Sequence, residues 1–332
     1  YTNELSSITG KSHYLIAESN LNDVRYINPV EKGGYQLDAQ WSDDYHHAIH
    51  TKLTGDRFGY YMDYGNTQNI AKALSDAFVY DEQYSTFRKK VYGSKTKSNK
   101  GQQFVIFNQN HDQVGNRKFG ERLSSLTDFE QQKLAAVTLF MAPYLPMLFM
   151  GEEYGEENPF LYFVDHNDPN LNKQVRKGRQ SEFKDFWDKN PAPNPDEKRT
   201  FDMSKLTWSY PNNSERFVLL QLHKELIRLR KTENALKIPN RNQCKITHIR
   251  NIDVITIERW DNNMVFFTAL NFSNTHREID VLTEKGEYFD LILYTSSNKW
   301  KGKSPDEPIH LNYADKLNLS AFGACIFKST NV

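Results

Sequence analysis

Phe104-Val105-Ile106-Phe107-Asn108-Gln109-Asn110-His111-Asp112 is the stretch on which the fold turns. Four aromatic and β-branched residues in a row read as a short buried strand. Asn-His-Asp follows almost at once, setting an amide, an imidazole and a carboxylate at the strand's carboxyl end, where parallel α/β folds build their active sites. A second stretch has the same form. His13-Tyr14-Leu15-Ile16-Ala17 is strand-like and runs into Glu18-Ser19-Asn20-Leu21-Asn22-Asp23. Asn and Asp are also common turn formers, so either motif alone fits a plain loop. The pair is more specific: two carboxyl groups at the tips of buried strands are what glycoside hydrolysis uses, one as proton donor and one facing a cationic transition state.

Outward from these two strands, strand and helix signals alternate. Tyr35 to Trp41 reads as a strand, and Ser42-Asp43-Asp44 as a helix N-cap with acids in the first turn. Tyr45, Ala48, Ile49 and Leu53 supply helical spacing up to Gly55. A second helix is expected over Thr67 to Val79. A third begins at Thr127, with Glu130 three residues on as a capping box. The last apolar run, Pro146 to Met150, opens into Gly151-Glu152-Glu153-Tyr154-Gly155. Residues 156–209 are polar and Pro-rich, and are expected to form a lid with one helix from Asn172 to Phe183. Ser214 to Lys231 is an amphipathic helix. Beyond Pro239 apolar and polar residues alternate between frequent turn signals, the pattern of antiparallel β-structure.

The expected fold class is therefore α/β: the second half of a TIM (β/α)8 barrel over 1–238, its strands 5–8 with the lid, followed by a C-terminal antiparallel β-sandwich over 239–332. Half a barrel exposes two strand edges and an open core. A preceding segment of comparable size is expected, in the same chain or supplied by another.

Composition narrows the partners. Lys and Arg total 42, balanced by 42 Asp and Glu. That gives no electrostatic case for nucleic acid or an anionic membrane. The basic cluster at Lys89-Lys90 and Lys95 to Lys100 reads as a solvated loop. Aromatic content of 13% suits sugar-binding platforms as well as a core. Cys244 and Cys325 are too few for a disulfide framework and fit a reducing, cytoplasmic compartment. No run approaches the roughly 18 apolar residues of a membrane span.

Asn110-His111-Asp112 resembles a signature of the α-amylase superfamily, glycoside hydrolase family 13. Ala17-Glu18-Ser19-Asn20-Leu21-Asn22-Asp23, Leu37 to His47, Asn108 to Arg117 and Gly151 to Glu156 are similar, in order and spacing, to the maltooligosyltrehalose trehalohydrolase branch of that family. The resemblance implies Glu18 as general acid/base and Asp112 as the carboxylate that stabilises the oxocarbenium-like transition state. It implies substrate contacts for His111, Asn22, Asp23, Gln40, Trp41, Asp43, Asn110 and Glu153, and weaker ones for Asp165 and His166. The implied substrate is maltooligosyltrehalose or a related α-glucan, with no cofactor and no metal.

One element of the family pattern is missing from the residues given. Retaining members use an aspartate nucleophile on strand four, ahead of the acid/base. Only 17 residues precede Glu18, none of them Asp. Asp38 imitates the nucleophile motif but follows Glu18, and is expected to belong to strand six. The chain alone is thus expected to be an incomplete catalytic unit. Three other readings stay open: a branching or amylase-type enzyme, a non-catalytic α-glucan-binding fragment, and a zinc site on the helical face formed by Asp43, His46, His47 and His50, whose alternative is a polar helix face complementing the dipole.

Overall fold

In a computed structural model that describes residues 2–183, 190–304 and 308–329, the chain opens with α1 (Thr2–Thr9) and then forms β1 (Ile16–Ala17), β2 (Ala39–Trp41), α2 (Asp43–Thr54) and α3 (Thr67–Asp76). A small hairpin, β3 (Gln83–Ser85) and β4 (Lys90–Tyr92), precedes β5 (Phe104–Ile106), α4 (His111–Gly115), α5 (Leu123–Leu126), α6 (Phe129–Met141) and β6 (Leu145–Pro146). The four strands β1, β2, β5 and β6 pair in that order, all in parallel. Parallel neighbours joined through helices are half of a (β/α)8 barrel. The strands are short because only their central residues pair; the sequence signals run longer on both sides.

The helix starts illustrate the local rules. Asp128, not Thr127, caps α6, and its partner in the capping box is Gln131 rather than Glu130. The two candidate boxes overlap by one residue, and the carboxylate at 128 took the cap. Ser42 stands at the N-cap of α2, but its hydroxyl donates to the Ala77 carbonyl at 2.5 Å instead of capping. Basic residues 89 and 90, read as a loop, lie at the turn and in the second strand of the hairpin.

The stretch after β6 carries α7 (Pro169–Glu182) and α8 (Lys198–Met203), and part of it lies outside the described residues. The chain continues with α9 (Glu215–Thr232), capped by Ser214, and α10 (Asn234–Lys237). From Cys244 onward pairing is antiparallel. β7 (Cys244–Ile249), β8 (Val254–Trp260), β9 (Val265–Asn271), β11 (Tyr288–Tyr294), β12 (His310–Asn312) and β14 (Ala324–Ser329) form one six-stranded sheet, and β10 (Arg277–Asp280) pairs with β13 (Lys316–Leu319). Phe267, Phe289, Leu317 and Phe327 fill the space between these two sheets, completing the expected sandwich.

Helices α6 and α9 link the two parts. Leu134, Leu139, Leu222 and Leu226 share one core with Ile255, Ile257, Phe266 and Ile326 of the large sheet. Two buried cations stitch the junction. The Nζ of Lys133 donates to the Thr295 and Trp300 carbonyls at 2.7 and 2.9 Å. Arg259, 1% exposed, donates to the Ala142, Leu236 and Ile238 carbonyls. Arg259→Met should fill the space yet leave three carbonyls short of a donor, costing about 3 kcal/mol of unfolding free energy. A denaturation curve displaced by less than about 1 kcal/mol would show that those carbonyls find other partners. Among the described residues no helix is long and apolar enough to cross a membrane.

Candidate active site

The carboxyl ends of the parallel strands set out the site. Glu18 follows β1 directly, Trp41 closes β2, and the chain leaving β5 turns into α4. Asn110 makes that turn. Its side chain accepts the Gln113 N–H at 2.8 Å and starts the helix, so that His111 and Asp112 stand in the first turn with their side chains exposed. Glu18 Oε1 and His111 Nε2 are 3.6 Å apart. The Trp41 ring lies 6.1 Å from His111 and 5.3 Å from Phe107, edge-on to both. Asp112 Oδ1 accepts the Asn116 amide at 2.7 Å. The Glu18 side chain is 55% exposed, so the cleft is open on this side.

Asp43, the first residue of α2, brings a third carboxyl. Burial, then the charges of Asp44, Asp112 and Glu18, push it up to about 7. Its Oδ2 accepts from Gln113 Nε2 at 3.3 Å, and Gln113 Oε1 accepts the Tyr60 hydroxyl at 2.8 Å. The β3–β4 hairpin reaches the same place. Arg88 donates to the Asn20 carbonyl at 2.9 Å, stacks over Tyr92 at 4.4 Å, and its charge favours the ionised form of Asp43. Gln113 falls within the 108–117 motif but has no role implied there, and Arg88 and Tyr60 lie outside every motif. Only the basic run beside Arg88 hinted at that side of the site, and that run alone reads as solvated.

The remaining candidates divide. Asn22 turns inward in a left-handed conformation (φ 53°), and its amide donates to Asp44 and to the Tyr80 carbonyl. Asn110 is likewise 2% exposed and occupied as a cap. Asp23 accepts from the backbone and side chain of Arg25. Gln40 is fully buried, with neither amide atom hydrogen-bonded. Glu153 lies on the loop after β6, but the buried carboxyls there are Glu156, held by backbone N–H groups and the Tyr154 hydroxyl, and Glu152. Glu152 is the one nearer β5. It accepts from Asn108 and from the Phe149 N–H, and burial raises it to about 7. Asp165 and His166 are exposed on the following stretch. Asp38 accepts the Leu15 N–H at 2.7 Å. Both residues precede their strands, so Asp38 sits at the amino end of the sheet, opposite Glu18.

The histidines of α2 point into the protein. His46 uses both ring nitrogens, one to the Asn108 carbonyl at 2.6 Å and one to the Tyr61 hydroxyl at 2.9 Å. His50 faces Asp56 at 2.8 Å, and His47 stacks on Tyr60 with centroids 4.4 Å apart. Among the described residues no three His, Cys, Asp or Glu side chains group so as to hold a metal ion. Burial, and then the charges of His50 and Arg88, push His47 down to about 3. An imidazole held neutral stabilises the fold fully above its unfolded value of 6.5, and that stability is lost as pH falls below it. The loss is up to about 1.4 kcal/mol per pH unit. His47→Phe, which keeps a ring against Tyr60, should flatten the acid limb of Tm against pH between about pH 6.5 and 4. Parallel curves for the two proteins would contradict this.

No family model matches the chain. It is 50% identical over 217 residues to the malto-oligosyltrehalose trehalohydrolase of Saccharolobus solfataricus, covering 65% of this chain and 37% of that protein. For the enzyme of the same description in Brevibacterium helvolum the values are 42% identity, 68% and 39%. For that of Mycobacterium tuberculosis they are 37%, 72% and 42%. The chain thus spans about two fifths of the length of the curated relatives it matches. Among solved structures, a putative α-amylase from Salmonella typhimurium superposes with a TM-score of 0.80 at 29% identity, covering 99% of this chain and 53% of that one. The α-amylase of H. orenii gives 0.57 at 16% identity over 99% and 55%, which speaks for the fold alone.

Proposed function

We infer that this chain is part of a glycoside hydrolase of family 13, the α-amylase superfamily, and that the enzyme is of the trehalose-releasing kind. The observation that carries the reading is the convergence of Glu18 with His111 at 3.6 Å, at the tips of parallel strands, with Asp112 beside His111 on α4. The named activity of relatives up to 50% identical supports the finer choice. In this reading Glu18 protonates the leaving glycosidic oxygen, while Asp112 stabilises positive charge on the sugar ring and His111 holds a hydroxyl. Asp43, carrying its proton to about 7, donates to a further hydroxyl, and Trp41 offers an apolar wall.

A retaining cycle needs a carboxylate nucleophile about 5 Å from the acid/base. We assign it to a complementary half-barrel, in the same chain or another. Exposed apolar side chains at and before β1 support such a neighbour: Tyr14, Leu15 and Ile16 are 70%, 47% and 49% exposed. An unpaired apolar strand edge is a surface that native proteins cover. The domain boundary is proposed at residues 238–239, where parallel pairing gives way to antiparallel. Two free thiols, Cys244 and Cys325, support a cytoplasmic setting, and the description of the relatives supports a place in trehalose biosynthesis.

The test is product analysis with the intact enzyme on maltooligosyltrehalose. Free trehalose is the expected product. New α-1,6 branch points, or maltooligosaccharides without trehalose, would replace this reading by the branching or amylase one. Binding without turnover would leave a glucan-binding protein.

A further inference from the structure

Arg179, on α7, is 7% exposed although it belongs to a polar stretch. Its guanidinium lies over the Tyr162 ring at 5.3 Å and pairs with Glu182 at 2.9 Å. Its Nη2 crosses to α4 and donates to the carbonyls of Gly115 at 2.6 Å and Arg117 at 2.9 Å. These carbonyls flank Asn116, the residue whose side-chain amide holds Asp112 Oδ1 at 2.7 Å. The far side of the segment is pinned as well, since Arg117 Nη1 donates to Asp56 at 2.8 Å. A helix of one turn cannot hold its own end by backbone bonds alone, because its last carbonyls have no partners within it. The planar fork of a buried arginine supplies those donors in a fixed direction.

We propose that Arg179 is a positioning residue for Asp112, acting through the 115–117 backbone and the Asn116 amide. The proposal rests on the reading of Asp112 as the transition-state carboxylate. It assigns to the stretch after β6 the task of fixing the direction in which that carboxylate points. Because Asp112 acts on charge that develops in the transition state, misdirecting it lowers kcat more than it raises KM.

Two measurements on the intact enzyme test this. Arg179→Ala should lower kcat about 10- to 100-fold, the scale of a 1 Å misplacement, with KM changed less than about threefold. Arg179→Lys, which keeps a donor without the fork, should fall between. Asn116→Ala should give a loss of the same size, and adding Arg179→Ala to it should cost little more, because both act on one carboxylate. Independent multiplicative losses, or a loss explained by a lower folded fraction, would overturn the proposal. The second measurement needs no substrate. Amide exchange at Asn116 and Arg117 should quicken at least about tenfold in Arg179→Ala. Unchanged exchange would overturn the proposal even if activity fell. A wild-type enzyme that cleaves no glycosidic bond would instead remove the reading of Asp112, whatever the exchange rates.

Discussion

Glu18→Gln in the intact enzyme is expected to lower kcat about 10²- to 10⁴-fold, the range over which a positioned general acid contributes. Gln keeps the shape and the hydrogen-bonding reach of the side chain but has no proton of suitable acidity to give. Substrate binding should therefore change little, because Glu18 is 55% exposed and faces the imidazole of His111 at 3.6 Å rather than a buried network. The loss should shrink when the leaving group needs no protonation, as with an activated aryl glycoside. An external nucleophile such as azide should then restore turnover at the second step. A variant that loses the good and poor leaving groups equally would mean that Glu18 is not the acid. In that case Asp43, half-buried and carrying its proton to about 7, would be the next carboxyl to test.

Much of this site was open to a sequence reading because its signals are local. A strand that ends in a carboxylate, and another that ends in Asn-His-Asp, each occupy a few consecutive residues, and the fold brought Glu18, His111 and Asp112 to one end of one sheet. What was hidden depended on direction or on distance. Asn22 and Asn110 have the chemistry to bind a sugar, yet one serves a buried carboxylate and the other caps α4. The same amide suits either task, and only backbone geometry decides. Glu152 and Glu153 are adjacent and chemically alike, and the turn after Gly151 sends Glu152 inward. Arg88 reaches Asn20, 68 residues away, through a hairpin whose strands are three residues each. Arg179 reaches Gly115 across 64 residues from a stretch of polar composition. No periodicity announces contacts of that kind.

The largest loss of stability should come from a residue next to the site rather than in it. Asp44 is 2% exposed, and its carboxylate accepts four hydrogen bonds: from Tyr64 at 2.6 Å, Asn22 at 2.8 Å, and the N–H groups of Val79 and Tyr80 at 2.7 and 2.8 Å. Burial raises its pKa, and these four donors work against that rise. The arrangement ties the start of α2 to the turn after α3 and to the loop that carries Glu18. Asp44→Ala removes an acceptor from all four donors, though the Asn22 amide keeps the Tyr80 carbonyl, at about 1–3 kcal/mol each if none relaxes. With partial relaxation the expected cost is about 4 kcal/mol, more than removing Arg259 from the junction. Asp44→Asn should cost clearly less, since an amide with its oxygen at the Oδ2 position still accepts from Asn22, Val79 and Tyr80 while its nitrogen can donate to the Tyr64 hydroxyl. That difference separates loss of the acceptor oxygens from loss of the charge. If Asp44→Ala were to unfold at the wild-type denaturant concentration, the four-donor account would fail. Because Asn22 is one of the four, Asp44→Ala should also free the 18–23 loop. Whatever activity survives in the folded fraction should then fall, through displacement of Glu18 rather than through any contact of Asp44 with sugar.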